Sequence, residues 1–208
     1  MTSIGKEPKK EPEEDPETPE EDSDEKVESI VSPLAKNMRE AMRTMLFYQR
    51  KRAIEQANGT KNWNKIEHKK DYDKFLISFK ENIDASIMTG IVFVQQQYGG
   101  TLIPLNSFSQ EIEKFKTVRS ETVLYGFKTV VENLITTLND STHLSALELS
   151  DRIRKAFNLL QSKTTSLAKL EADAAFSKGR ELASSFIKEQ LEGVLKIEST
   201  QLIGGEED

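Results

Sequence analysis

The residues able to do chemistry in this chain are few, and their spacing does not suit catalysis. The two histidines, His68 and His143, lie in polar stretches 75 residues apart. Neither has an acidic or nucleophilic partner at a recognisable spacing for general acid–base work. There is no cysteine, which removes disulfides, thiolate metal sites and thiol nucleophiles together. Gly99-Gly100 is not followed by the Lys-Ser/Thr of a phosphate-binding loop. No His, Asp and Glu residues recur at metal-ligand spacing. The expectation is a protein that is not an enzyme and carries no metal and no cofactor.

What remains is charge and apolar surface. Residues 33–80 hold twelve Lys/Arg against five Asp/Glu. Arg39, Arg43, Arg50, Lys51 and Arg52 fall on the polar side of one helical segment. Such a face can contact phosphate backbones, although charge runs on helices more often serve only as a solvated face. Met38, Met42, Met45, Leu46, Phe47 and Tyr48 on the same segment spread beyond one stripe. They suit either a helix in mid-bundle or an adaptable partner surface. Upstream, residues 1–30 contain twelve Asp/Glu, four Lys and four of the six prolines. That composition buries too little apolar area to offset chain entropy, so a disordered acidic arm is expected over 1–30. The net charge of −6 is therefore concentrated in the arm.

The elements that must position these residues read as helices. Ser32-Pro33 looks like a helix start, with Ser as N-cap and Pro in the first turn. Leu34, Met38, Met42, Met45, Gln49 and Ala53 continue one face, and Asn58-Gly59 ends it. Residues 60–70 form a polar connection containing Trp63. Phe75, Phe79, Ile83, Ile87, Ile91, Val94 and Tyr98 predict a second helix stopped by Gly99-Gly100. A capping box at Ser107 and Gln110 opens a third, with Ile112, Phe115, Val123, Phe127, Val130 and Leu134 inward. A second capping box at Ser145 and Glu148 opens a fourth, carrying Leu149, Ile153, Phe157 and Leu160. A fifth is expected over about 164–196. The fold class is all-α: an elongated bundle of about five helices over 31–198, between the acidic arm and a flexible acidic tail at 199–208. No apolar run approaches the roughly 18–20 residues of a membrane span, so no membrane contact is expected.

In the fifth helix, Ala168, Ala172, Ala175 and Gly179 recur at steps of four, three and four. Small side chains in a row let a neighbouring helix approach closely. The run Leu167, Ala168, Lys169, Leu170, Glu171, then Ala175, Phe176, Ser177, Gly179 and Arg180, resembles a motif of tailed-bacteriophage head morphogenesis (minor capsid) proteins of the phage Mu type. The family pattern is Ile-Ala-Arg-Thr-Glu, a short variable stretch, then Ala, an aromatic, Asn, any residue, Gly and Arg. Glu171, Ala175, Phe176, Gly179 and Arg180 match in place, while Lys169, Leu170 and Ser177 stand where the family has Arg, Thr and Asn. The order and spacing of helices over 33–188 is similar too. The strand-bearing region that members carry after the motif has no counterpart in residues 181–208.

The resemblance implies a structural virion protein, assembled in the host cytoplasm and located in the virion. Its expected partners are the portal and other capsid proteins, in an oligomeric or portal-bound state, with the packaged double-stranded DNA as a further contact. It implies that Glu171 and Arg180 orient the last helix; the basic face of Arg39, Arg43, Arg50, Lys51 and Arg52, read from charge alone, is the patch assigned to DNA or portal contact. The residues alone also admit a nucleic-acid-binding helical adaptor with an autoinhibitory acidic arm, or a scaffold-like assembly protein.

Overall fold

The computed structural model describes residues 24–59, 69–141 and 143–203, the side chains of 24, 138, 139 and 194–203 excepted. Among these residues the chain forms four α-helices, one short 3-10 turn and no strand. Helix α1 spans Asp24–Ala57, α2 Lys69–Gln97, α3 Ser109–Asn139 and α4 Ala146–Ile203. Helix α4 packs against both α1 and α2, which also pack on each other, while α3 lies mainly on α2. Ion pairs and hydrogen bonds give the directions. Glu28–Lys169, Arg50–Asn158 and Asn58–Ser150 make α1 and α4 antiparallel. Glu111–Lys178 and Arg119–Glu171 make α3 and α4 antiparallel.

The inward faces follow helical periodicity. Met38, Met42, Met45, Leu46 and Ala53 of α1 are buried, as are Phe75, Phe79, Ile83, Ile87, Ile91 and Val94 of α2. The methionine run is therefore core, and only Phe47 and Tyr48 remain on the surface. Tyr98, expected on the apolar face of α2, is exposed beyond its end. Gly59, Gly99 and Gly100 take positive φ of 75°, 67° and 80°, and end α1 and α2 where side chains would be strained.

Several expectations are corrected. Helix α1 does not start at Ser32-Pro33. It starts at Asp24 and runs through Pro33, so residues 24–30 are helix rather than arm. Proline removes one backbone hydrogen bond from the helix. Val27, Ile30, Val31 and Leu34 pack on the core and offset that loss, at the spacing of one helical face. Residues 1–23, the rest of the expected arm, lie outside the described residues, as do His68 and Trp63.

The expected fourth and fifth helices are one. Helix α4 runs without a break for 58 residues, about 87 Å at 1.5 Å per residue. Thr164 sits buried mid-helix with its hydroxyl donating to the Gln161 carbonyl, so the Ser/Thr-rich junction is satisfied within the helix. The helix also continues to Ile203, into the expected tail, and 204–208 lie outside the described residues.

The start of α3 differs as well. Leu105–Phe108 form a 3-10 turn and the helix proper begins at Ser109, so no capping box forms at Ser107. Within α3 the inward register slips by one after Phe127. Val131 and Ile135 are buried, whereas Val130 is exposed and Leu134 only half-buried.

The second capping box forms as expected. The Ser145 amide and hydroxyl donate to the Glu148 carboxylate at 2.9 and 2.7 Å, and the Glu148 amide returns a bond to the Ser145 hydroxyl. Hydrogen bonds from the Ser145 hydroxyl, then its amide, hold the Glu148 carboxyl below its usual range. Ser145→Ala should lower stability by about 1 kcal/mol at neutral pH. Because the folded carboxyl is depressed, the stabilisation is present at neutral pH and lost as pH falls through the carboxylate range. Urea titrations at neutral and mildly acidic pH should therefore show the gap between wild type and variant narrowing on acidification.

Candidate interaction surface

The residues that match the phage motif all lie on α4, and the structure commits them to contacts between helices. Ala168, Ala172 and Ala175 are buried in a row with Gly179. That row meets α2 at Gly90. A methyl group built on Gly179 would overlap the Ile87 carbonyl, and one built on Gly90 would overlap the Phe176 carbonyl. The two backbones touch directly, so glycine is required on both sides of the crossing.

Glu171 is buried on the flank of the same helix and takes a two-pronged bond from Arg119 of α3, both contacts at 2.8 Å. Planar guanidinium against carboxylate is a directional pairing that sets how α3 lies on α4. Phe176 is buried and meets Phe93 of α2 edge to face, with ring centroids 5.6 Å apart. Arg180 lies over both rings, 5.3 Å from the centroid of Phe93 and 6.0 Å from that of Phe176. Lys26 of α1 lies 5.5 Å from the centroid of Phe93. Lys169 pairs with Glu28 at 2.8 Å across the α1–α4 seam, where both side chains are exposed. Leu167 is half-buried and Leu170 faces solvent. Glu171 and Arg180 thus hold α4 against α3 and α2.

The five basic residues assigned to a common face separate into different environments. Arg52 turns toward α2, where Asp71 accepts its Nε at 2.7 Å and the Gln49 amide also reaches the same buried carboxylate. Lys51 is exposed. Arg39, Arg43 and Arg50 share one stripe along the edge of α1 that borders α4. Arg50 donates to Asn158 of α4 at 3.3 Å and lies over the Phe47 ring. Arg43 lines a shallow hollow of about 410 Å³ with Glu40, Thr44, Phe47, Tyr48 and Gln161. Arg39 lines the next hollow toward the start of α1, with Lys36, Thr165 and Lys169 among its walls. The Arg39 Nε is buried with no partner, and no described carboxylate pairs with Arg39, Arg43 or Arg50.

A further groove of about 410 Å³ lies between α1 and α2, walled by Asn37, Thr44, Ser78 and Asn82 over Met45 and Phe75. On α2, burial pushes the Tyr72 phenol far above its usual range, with Glu132 of α3 and then Asp71 adding to the shift, so it stays protonated. No group of three His, Asp or Glu able to hold a metal occurs among the described residues, and none of the described helices is long and apolar enough to cross a membrane. His143 is exposed on the loop before α4.

Three participants escape a reading of the sequence: Arg119, Asp71 and Gly90. Gly90 carried a usable signal, because it sits three residues after Ile87 on the inward face of α2, a position where glycine weakens a helix unless something needs the space. Arg119 and Asp71 carried none, since each is one charged residue among many. No protein-family model, curated protein or solved structure matches the chain.

Proposed function

We propose that this chain is a structural virion protein of the tailed-phage head-morphogenesis type, a non-catalytic helical module that associates with the portal vertex. The observation that carries the reading is the fate of the five motif matches. Glu171, Ala175, Phe176, Gly179 and Arg180 all make contacts that fix how α4 sits on its neighbours. A signature made of packing residues is what an assembly module needs, because its function is to present a rigid surface. The presented surface is the α1 edge where Arg43 and Arg50 flank exposed Phe47 and Tyr48. Aromatic and arginine side chains together are the usual anchors of protein interfaces.

The test is co-sedimentation with the portal ring of the same phage. The chain should travel with the ring, and Arg43→Gln with Arg50→Gln should reduce the bound fraction at least tenfold while leaving the fold intact. Arg52→Gln should instead act on stability, because its partner Asp71 is buried. A chain that stays in the supernatant while the ring is intact sinks the reading.

The cationic stripe favours a second reading, a helical adaptor for duplex DNA. Arg39, Arg43 and Arg50 fall on one edge without described carboxylate partners. Three phosphate contacts give a plot of log affinity against log salt with a slope of about −3. A slope near zero removes that reading.

A further inference from the structure

The hollow that Arg39 lines, between the first half of α1 and the middle of α4, has a volume of about 510 Å³. Three cations stand in its wall, Lys36 and Arg39 from α1 and Lys169 from α4, against one described carboxylate, Glu28. That carboxylate is already engaged, since it pairs with Lys169 at 2.8 Å. Lys36 and Arg39 therefore leave the wall with a surplus of two positive charges. The Arg39 Nε is the sharper observation. It is buried, and no described residue accepts from it. A buried charged donor without an acceptor is costly, so this one calls for an acceptor that enters the hollow. Ser32 of α1 and Thr165 of α4 bring hydroxyls from the two sides, while Val31 and Ala35 supply apolar surface.

We propose that this hollow binds the phosphate group of a small phosphomonoester, with the organic body of the ligand against Val31 and Ala35. Charge decides between the common anions. A carboxylate brings one negative charge, whereas a phosphomonoester carries about −1.5 to −2 at neutral pH and matches the surplus. The donor types agree. A planar guanidinium takes two phosphate oxygens side by side, a lysine acts as a point charge, and hydroxyls serve the remaining oxygen. Size agrees as well, because ligand pockets run from about 300 to 1,000 Å³ and inorganic phosphate alone would fill little of this one.

A nucleic-acid backbone offers the same phosphate chemistry in another form. Each of its phosphates is a diester with one charge and a sugar on either side, which suits the open edge at Arg43 and Arg50 better than a hollow. The groups that meet the phosphomonoester come from both α1 and α4, so the ligand recognises the folded chain and raises its thermal stability. Binding needs only the isolated chain, so it stands or falls separately from the portal reading.

Phenyl phosphate is the probe, titrated into the full chain at constant ionic strength and followed by amide chemical shifts. The shifts should saturate and centre on residues 32–39 and 165–169. Inorganic phosphate should bind at the same place about tenfold more weakly, because it buries no ring. The singly charged diester methyl phenyl phosphate should also bind about tenfold more weakly, and Lys36→Gln and Arg39→Gln should each cost phenyl phosphate about tenfold. Lys36 is exposed, so its variant reads binding even if Arg39→Gln disturbs the packing of α1. Lys188→Gln, about 35 Å along α4 from Thr165, should leave the affinity unchanged. Equal affinity for phenyl phosphate and chloride, or shifts spread over the exposed lysines of every helix, would mean an adventitious ion only and overturns the proposal. Unchanged affinity in both Lys36→Gln and Arg39→Gln overturns it too. So does a 20-base-pair duplex that shifts residues 32–39 while phenyl phosphate shifts none, which would assign the hollow to a nucleic-acid backbone.

Discussion

Gly179→Ala should lose about 3 kcal/mol of stability, the upper end of the usual cost of overpacking. The added methyl group meets the backbone of α2 at the Ile87 carbonyl, and no rotamer change can make room for it. The helices must move apart, which opens the packing of Ala175, Phe176 and Ile87 on both sides of the crossing. Gly90→Ala meets the Phe176 carbonyl and should cost a similar amount. The double variant should lose clearly less than the summed losses, because the first methyl already separates the backbones the second would strike. Gly126 supplies the opposite sign. It lies in α3 with nothing within 4 Å of an added methyl, so Gly126→Ala should gain about 0.5–1 kcal/mol from helix propensity alone. Urea unfolding followed by circular dichroism measures all four. If Gly179→Ala falls within 0.5 kcal/mol of the wild type, the two backbones do not touch as described.

Arg119→Met should cost about 2–3 kcal/mol and should loosen α3 before the rest of the bundle. The variant leaves the Glu171 carboxylate buried without the guanidinium that donates to it and balances its charge. Breaking a fully buried pair costs more; here the Arg119 side chain keeps 33% exposure, so part of its loss is screened by water. The reverse variant, Glu171→Gln, should cost less, because Arg119 can turn to solvent. Helix α3 touches α4 sparingly and depends on this pair, on Glu111–Lys178 and on the Lys116–Asp84 contact to α2. Hydrogen exchange should therefore speed up across 109–137 at denaturant levels that leave α1, α2 and α4 protected. Uniform acceleration across all four helices would show that the pair stabilises the bundle as a whole rather than anchoring α3. Replacing both partners together, Glu171→Leu with Arg119→Met, should recover most of the loss.

The small-residue row was legible because it rests on spacing alone. Steps of four, three and four put Ala168, Ala172, Ala175 and Gly179 on one face whatever the rest of the chain does. The same holds for the methionine face of α1 and the Phe/Ile face of α2. Boundaries were less legible, for identifiable reasons. Pro33 reads locally as a first-turn residue, yet the burial of Val27, Ile30 and Val31 outweighs its missing hydrogen bond and extends the helix back to Asp24. The Ser/Thr cluster near 162–166 reads as a junction, yet Ser162 and Thr164 bond their own helix carbonyls and α4 continues. The slip from Val130 to Val131 in α3 depends on which face α2 covers, because adjacent valines are equivalent to any local rule.

The sequence by itself determined the all-helical class, the inward faces of α1 and of most of α2, the glycine stops and the capping box at Ser145, because each depends on residues within one or two turns of one another. Only the tertiary structure decided what the charged residues do. Arg52 and Arg50 lie two positions apart, yet one closes on buried Asp71 and the other points along the α4 seam. Glu171 becomes an anchor only because Arg119, 52 residues earlier, is brought to 2.8 Å. Charge acts through distance in space, and those distances are set by how four helices pack.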